Sequence, residues 1–211
     1  MPRIPPISEE SLTDAQRRVY DKVVAGPRGT VIGPLRAVLH SPELADRWQS
    51  LGEYLRFDSC LPLALRELAI ITVGRYWNSE LEWLVHSRLA LDAGISDDVI
   101  ESIRTASSPT FADSDQAYVY NFARELLQYG NATDDTYGAV RDRLGTVGIV
   151  ELTAIIGYYT MVAMTLNAHD VPLPQLATPI PPLQDLSGQR LKEPTALPPA
   201  QLAAPKQAER A

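Results

Sequence analysis

Nine of the chain's seventeen prolines fall between Pro172 and Pro205, and this imbalance constrains the fold more than any other feature. Proline removes a backbone donor and breaks a helix. A segment dense in it, with Ala, Gln and Leu in no periodic order, is expected to be extended or disordered. The sequence therefore divides into a folded domain over residues 3–174 and a Pro/Ala-rich, disordered tail over 175–211.

Inside the domain, helix start and stop signals alternate. Thr13-Asp14 opens a stretch with Val19, Val23 and Val24 that stops at Gly26-Pro27. Ser41-Pro42-Glu43 combines a cap residue with Pro at the first helical position and predicts a helix carrying Leu44, Trp48, Leu51 and Leu55 to about Phe57. Pro62 opens the next helix, to about Trp77; Ser79 starts another, stopped at Ala93-Gly94 by a left-handed C-cap. Ser96-Asp97-Asp98 caps a short helix with Val99, Ile100 and Ile103. Further helices are expected over about 113–129, from Thr133 to Gly145, and from Thr146 to Asn167. No stretch alternates strictly and no Asn-Gly hairpin signal joins β-rich runs. The predicted class is all-α.

Composition narrows the function. With 45% hydrophobic and 21% charged residues, the chain can bury a real core. A net charge of −7 without a Lys/Arg-rich run argues against nucleic acid, which requires a basic face. The single cysteine, Cys60, cannot build a disulfide framework, suits a reducing cytoplasm, and matches a buried small apolar residue. Val147–Leu166 approaches membrane-spanning length but contains Glu151, Thr153, Thr160 and Thr165, so it reads as a core helix rather than a membrane anchor. Its apolar character extends around more of its circumference than one neighbour covers, which predicts a homo-oligomer.

The chemistry concentrates between Arg66 and His86. Glu82 and His86 are four residues apart and share a helix face. A carboxylate beside an imidazole is an acid/base pair that burial and mutual charge can tune toward neutrality. Glu67, on the preceding helix, approaches the same place if the two helices form an antiparallel hairpin. Each residue also has a structural alternative. Ser79-x-x-Glu82 fits a capping box, His86 can be a satisfied core histidine, and Glu67 can pair with Arg66 or Arg75. Ser79, Trp83, Arg66 and Arg75 are the substrate-side candidates, the arginines because a guanidinium grips a carboxylate with two hydrogen bonds. Tyr76, Trp77 and Trp83 suit either a pocket wall or core packing. His40 belongs to a loop before a capped helix, and His169 follows the last helix, where positive charge complements the dipole.

This segment resembles the alkylhydroperoxidase D and carboxymuconolactone decarboxylase superfamily. In alkylhydroperoxidase D proteins a glutamate precedes a Cys-x-x-Cys-x-x-x-His motif by twelve residues; here that spacing falls on Glu67, Ser79, Glu82 and His86. Both cysteines are replaced, which removes the dithiol on which peroxidase and thiol-exchange chemistry depends. The Glu-x-x-x-His version is similar to the decarboxylase branch. Arg3-Ile4-Pro5-Pro6, Gly33-Pro34, His40-Ser41-Pro42-Glu43-Leu44, Leu65-Arg66-Glu67-Leu68-Ala69, Glu82-Trp83, Ala93-Gly94, Gly157-Tyr158-Tyr159 and Leu166-Asn167 extend the resemblance over residues 3–174 to the longer proteins of the superfamily. It implies an alkylhydroperoxidase D-like helical bundle, assembled as a trimer or larger. It further implies a lyase, independent of cofactor and metal, acting on a small carboxylated lactone or related activated acid. The catalytic residues would be Glu67, Glu82 and His86, with His86 as proton donor. An isomerase, hydratase or lactone-opening enzyme using the same pair, and a ligand-binding oligomer without turnover, are the alternatives.

Overall fold

The structure, a computed structural model, describes residues 2–173, 181–185 and 193–204. Among them are eight α-helices: α1 (Asp14–Ala25), α2 (Pro34–Val38), α3 (Pro42–Glu53), α4 (Leu63–Tyr76), α5 (Glu80–Asp92), α6 (Asp97–Arg104), α7 (Ser114–Tyr129) and α8 (Asp134–His169). The strand pairing among the described residues is a two-residue parallel bridge, β1 (Thr110–Phe111) with β2 (Gln201–Leu202). The all-α class holds.

Local chemistry sets the boundaries. Thr13 and Gln16 form a capping box on α1, the Thr13 amide donating to Gln16 Oε1 at 2.9 Å. Ser96 and Thr133 accept from the third amide of α6 and α8. Gly130 closes α7 in the left-handed region that glycine enters without steric cost. The two helices expected on either side of Gly145 are present but run on as one, broken at that glycine (φ 70°). Two elements were not anticipated. Gly33 (φ 58°) turns the chain into the short α2, and α3 continues into a π-helical turn, Tyr54–Asp58.

Helix α4 is the axis of the molecule and packs against α5, α7 and α8. Leu68, Ala69, Ile70, Ile71 and Val73 are fully buried, each large side chain contributing about 1.5–3 kcal/mol through removal from water. Helix α8 is long and apolar enough to cross a membrane by length and composition, and 56% of its most apolar window is buried within the fold. Its inward face (Leu152, Ile155, Ile156, Tyr159, Val162 and Leu166) joins the main core. The opposite stripe, Val147, Val150, Ala154, Gly157, Met161 and Met164, is exposed.

Two expectations need correction. Cys60 is exposed, not buried; its amide donates to Glu151 Oε2 at 2.7 Å, which holds the loop at the surface. The tail is the larger difference. Its described parts, 181–185 and 193–204, lie against the domain in extended form. Leu197 is buried, while Leu183 and Ala200 pack on the second core cluster. Proline lacks a donor but keeps its carbonyl, and the domain supplies the missing donors. Trp83 Nε1 donates to Pro181 O (2.9 Å), Arg104 to Pro182 O (2.9 Å) and Tyr120 Oη to Pro198 O (3.0 Å). The tail's own amides are met as well, Leu197 N by Gln128 Oε1 and Ala200 N by Asn121 Oδ1. The rest of the stretch expected to be disordered (175–180, 186–192 and 205–211) lies outside the described residues.

Candidate active site

Helices α4 and α5 form a tight antiparallel hairpin. Its turn puts Asn78 at φ 51°, a conformation Asn tolerates better than most side chains, and the Ser79 amide donates back to Gly74 O (2.8 Å). At Gly74 the helices approach closely: a Cβ there would sit 3.5 Å from Glu82 Cβ.

The hairpin brings together the three residues the spacing singled out. His86 Nδ1 lies 2.6 Å from Glu67 Oε2, and its Nε2 lies 3.5 Å from Glu82 Oε2. All three are almost completely buried, at 1%, 3% and 4% exposure for Glu67, His86 and Glu82. The edge of the imidazole meets Tyr159 of α8, ring centres 5.1 Å apart and nearly perpendicular. Because the carboxylates approach opposite ring nitrogens, the imidazole bridges them, and the three donors do not converge on one point.

The two carboxylates differ in surroundings. Glu67 is engaged by His86, with Arg66 Nε farther away at 3.9 Å. Glu82 Oε2 is buried and accepts no hydrogen bond. Burial pushes the Glu82 carboxyl above its usual range and Glu67 adds to the rise, while His86, Arg56 and Arg28 oppose it. A carboxyl in this position favours its protonated form.

Glu82 and His86 open onto a pocket of about 150 Å³, walled also by Arg28, Arg56, Trp48 and the Tyr158–Tyr159 pair. Tyr158 Oη reaches the Trp48 carbonyl (3.4 Å), and burial pushes its phenol up to about 12. Burial also raises the Tyr159 phenol, with Glu82 adding to it. Both hydroxyls therefore keep their protons.

The capping-box alternative for Glu82 does not hold. Ser79 is fully buried and its side chain makes no cap hydrogen bond, while the Glu82 carboxyl turns into the pocket. The four substrate-side candidates are not among the residues lining this pocket. Ser79 is packed in the turn. Arg66 lies alongside Glu67. Trp83 belongs to the second core cluster and ties down the tail through Pro181. Arg75 donates to the carbonyls of Arg104 (2.8 Å) and Gln184 (3.0 Å), to Thr195 Oγ1 (3.0 Å) and to Asn78 Oδ1, so its guanidinium is spent between the domain and the tail. Arg28 and Arg56 were missed: each stands in a turn, where no periodicity points to a face. Trp48 and Tyr158-Tyr159 had been noted only as helix or family residues.

The carboxymuconolactone decarboxylase family model matches residues 42–125, the stretch that contains Glu67, Glu82 and His86. Two solved structures share the fold. One is an uncharacterized peroxidase-related protein from Silicibacter sp. TM1040, 14% identical, with a TM-score of 0.65 over 81% of this chain and 91% of that one. The other, an alkylhydroperoxidase AhpD core and uncharacterized peroxidase-related protein from Ralstonia eutropha JMP134, is 15% identical with a TM-score of 0.63 over 82% and 92%. Residues 42–125 are thus similar to the carboxymuconolactone decarboxylase family, and the fold of the chain is that of these two structures. No curated protein matches it. Relative to the Cys-x-x-Cys pattern of the superfamily, the first cysteine position is the buried Ser79 and the second is the pocket carboxyl Glu82.

Proposed function

We propose that this protein is a cofactor-independent lyase of the decarboxylase type, acting on a small carboxylated lactone or a related activated acid. The observation that carries this reading is the buried Glu67–His86–Glu82 chain ending at a pocket wall. In such a reaction the bond between the substrate and its carboxylate breaks. The electron pair enters a conjugated carbonyl as an enolate, and carbon dioxide leaves. The enolate carbon then takes a proton, so the substrate anion and one proton become product and carbon dioxide.

The division of labour follows from distance. Glu67, at 2.6 Å from Nδ1, holds the Nδ1–H tautomer and leaves Nε2 toward Glu82. Glu82, whose carboxyl burial pushes toward its protonated form, is the donor facing the pocket, and the proton it gives up is replaced from solvent by way of His86 Nε2, which takes up one proton and hands it on. This differs from the expectation that His86 is the proton donor, because Glu67 already occupies the orienting side of the ring. With Cys60 as the single thiol, turnover of hydroperoxides through an internal dithiol is not part of this reading.

The test is incubation with a panel of carboxylated lactones and β-keto acids, following carbon dioxide release and product mass. Activity lost in Glu67→Gln, Glu82→Gln and His86→Ala, with folding retained, supports the proposal. Product isomerised or hydrated without loss of carbon dioxide overturns the lyase and favours the isomerase or hydratase alternative. Carbon dioxide release that survives Glu82→Gln overturns the assignment of the donor.

A further inference from the structure

Two arginines line the pocket without a carboxylate at ion-pair distance among the described residues, and the Tyr158 hydroxyl accepts a hydrogen bond from one of them, Arg28. Arg28 stands in the loop between α1 and α2, Arg56 in the π-helical turn after α3, and both line the cavity beside Glu82 and His86. Among the described residues neither is ion-paired; the nearest aromatic partner of Arg56 is Phe57, 5.4 Å from guanidinium to ring centre. Buried Arg28 Nε has no hydrogen-bond acceptor. Leaving a buried donor unmet is costly, which marks Arg28 as able to take a further acceptor.

The surrounding backbone is shaped to bring these side chains in. A Cβ on Gly52 would lie 2.6 Å from an Arg28 terminal nitrogen and 2.0 Å from Tyr158 Oη. The space a side chain would take at position 52 is therefore used by Arg28 and Tyr158. The Tyr54–Asp58 turn departs from α-helical winding, with Leu55 buried and Arg56 lining the pocket; such π-helical turns are frequent at functional sites. A chain with net charge −7 thus sets two guanidinium groups beside a carboxyl that burial tends to keep neutral.

We propose that Arg28 and Arg56 are the anion-recognition pair of this pocket, selecting a single-ring molecule that carries one carboxylate and binding that carboxylate directly. The size follows from the volume: about 150 Å³ is close to that of a cavity known to admit one benzene molecule. The chemistry follows from the guanidinium, whose planar fork matches a carboxylate. One half of the pair, Arg28, lies outside the matched segment 42–125, so the N-terminal part of the chain supplies recognition to a reaction centre built from α4 and α5. The assignment rests on reading this pocket as the reaction site, but it concerns binding and not turnover.

Calorimetric titration of the full chain with benzoate and cyclopentanecarboxylate, each against its own carboxamide, tests it. The carboxylates are expected to bind on the order of 10- to 100-fold more tightly than the amides, the span of a charge-assisted hydrogen bond. Arg28→Gln and Arg56→Gln should each erase most of that preference while leaving amide binding unchanged, and circular dichroism melts should show that both variants fold. Equal affinity for acid and amide, no binding of either carboxylate, or equal loss of both ligands in the variants would overturn it. Carboxylate binding with no carbon dioxide release from any substrate would count against the lyase reading alone.

Discussion

Replacing Glu82 with Gln should make the protein more stable at neutral pH while removing its chemistry. The folded state raises the Glu82 carboxyl from its ordinary value of 4.5, chiefly by burial. The folded protein therefore holds this proton at pH values where the unfolded chain has released it. With more protons bound when folded, stability falls as pH rises. The group's contribution is fully present below about pH 4.5 and is lost as pH climbs through the raised value. One proton limits the slope to about 1.4 kcal/mol per pH unit. Gln keeps the shape and has no proton to lose, so the variant should follow wild type below pH 4.5 and pull ahead above it. Paired urea denaturation of both proteins from pH 4 to 8 measures this as a difference curve. Turnover should fall about 10²–10⁴-fold, the usual contribution of a lost acid or base. A flat difference across the whole range would mean that Glu82 is ionised and solvated in the fold, and the argument for it as proton donor would fail.

Three further outcomes are expected. Deleting residues after Leu173 should lower the melting temperature, since burying Leu197 alone is worth about 1.5–3 kcal/mol, or roughly 4–8 °C in a chain of this size; an unchanged melt would show that the docked tail adds nothing. Gly52→Ala should cost about 1–3 kcal/mol by overpacking and reduce ligand binding, because its Cβ meets Tyr158 Oη at 2.0 Å; calorimetry and a melt check both, and full binding would show that Tyr158 moves aside freely. Light scattering should give a multiple of 23.2 kDa, with Met161→Glu shifting it downward, because the exposed stripe of α8 is apolar along its length; a monomer at micromolar concentration would refute this.

Much of the helical framework is legible in the sequence because helix ends are local chemistry. Thr13, Ser96 and Thr133 cap through their own side chains, and Gly130 and Gly145 adopt the positive φ that ends or breaks a helix. Ser41 and Ser79 precede helices as expected yet make no side-chain cap bond, so the boundary was right and its supposed cause was not. The tail was misread for a different reason. Proline density reports what a segment cannot do with itself, not what donors another surface will offer it. Arg104, Trp83 and Tyr120 lie far from the tail in sequence, and nothing local announces that they face it.

The candidate-site residues were only partly legible because α4 and α5 are buried on nearly every side. A surface helix declares its inner face by an apolar stripe, whereas a helix surrounded by protein has none. On α5 two functional stripes run side by side. Leu81, Glu82, Val85 and His86 line the pocket, while Trp83 and Glu80 meet the tail at Pro181 and Leu183. On α4, likewise, Glu67 turns to His86 and Arg75 to the tail. Spacing correctly grouped Glu82 with His86, since four residues fix a shared face, but it had no means of separating Trp83 from them. Arg75 and Trp83 therefore looked like substrate contacts, when the structure uses them to hold the Pro-rich segment against the back of the hairpin. That arrangement gives the tail a bearing on the site without touching it. The segment that satisfies Arg75 and Trp83 also braces the turn through Thr195 N and the Tyr76 carbonyl (2.7 Å), and that turn sets the register between Glu67 on one helix and His86 on the other.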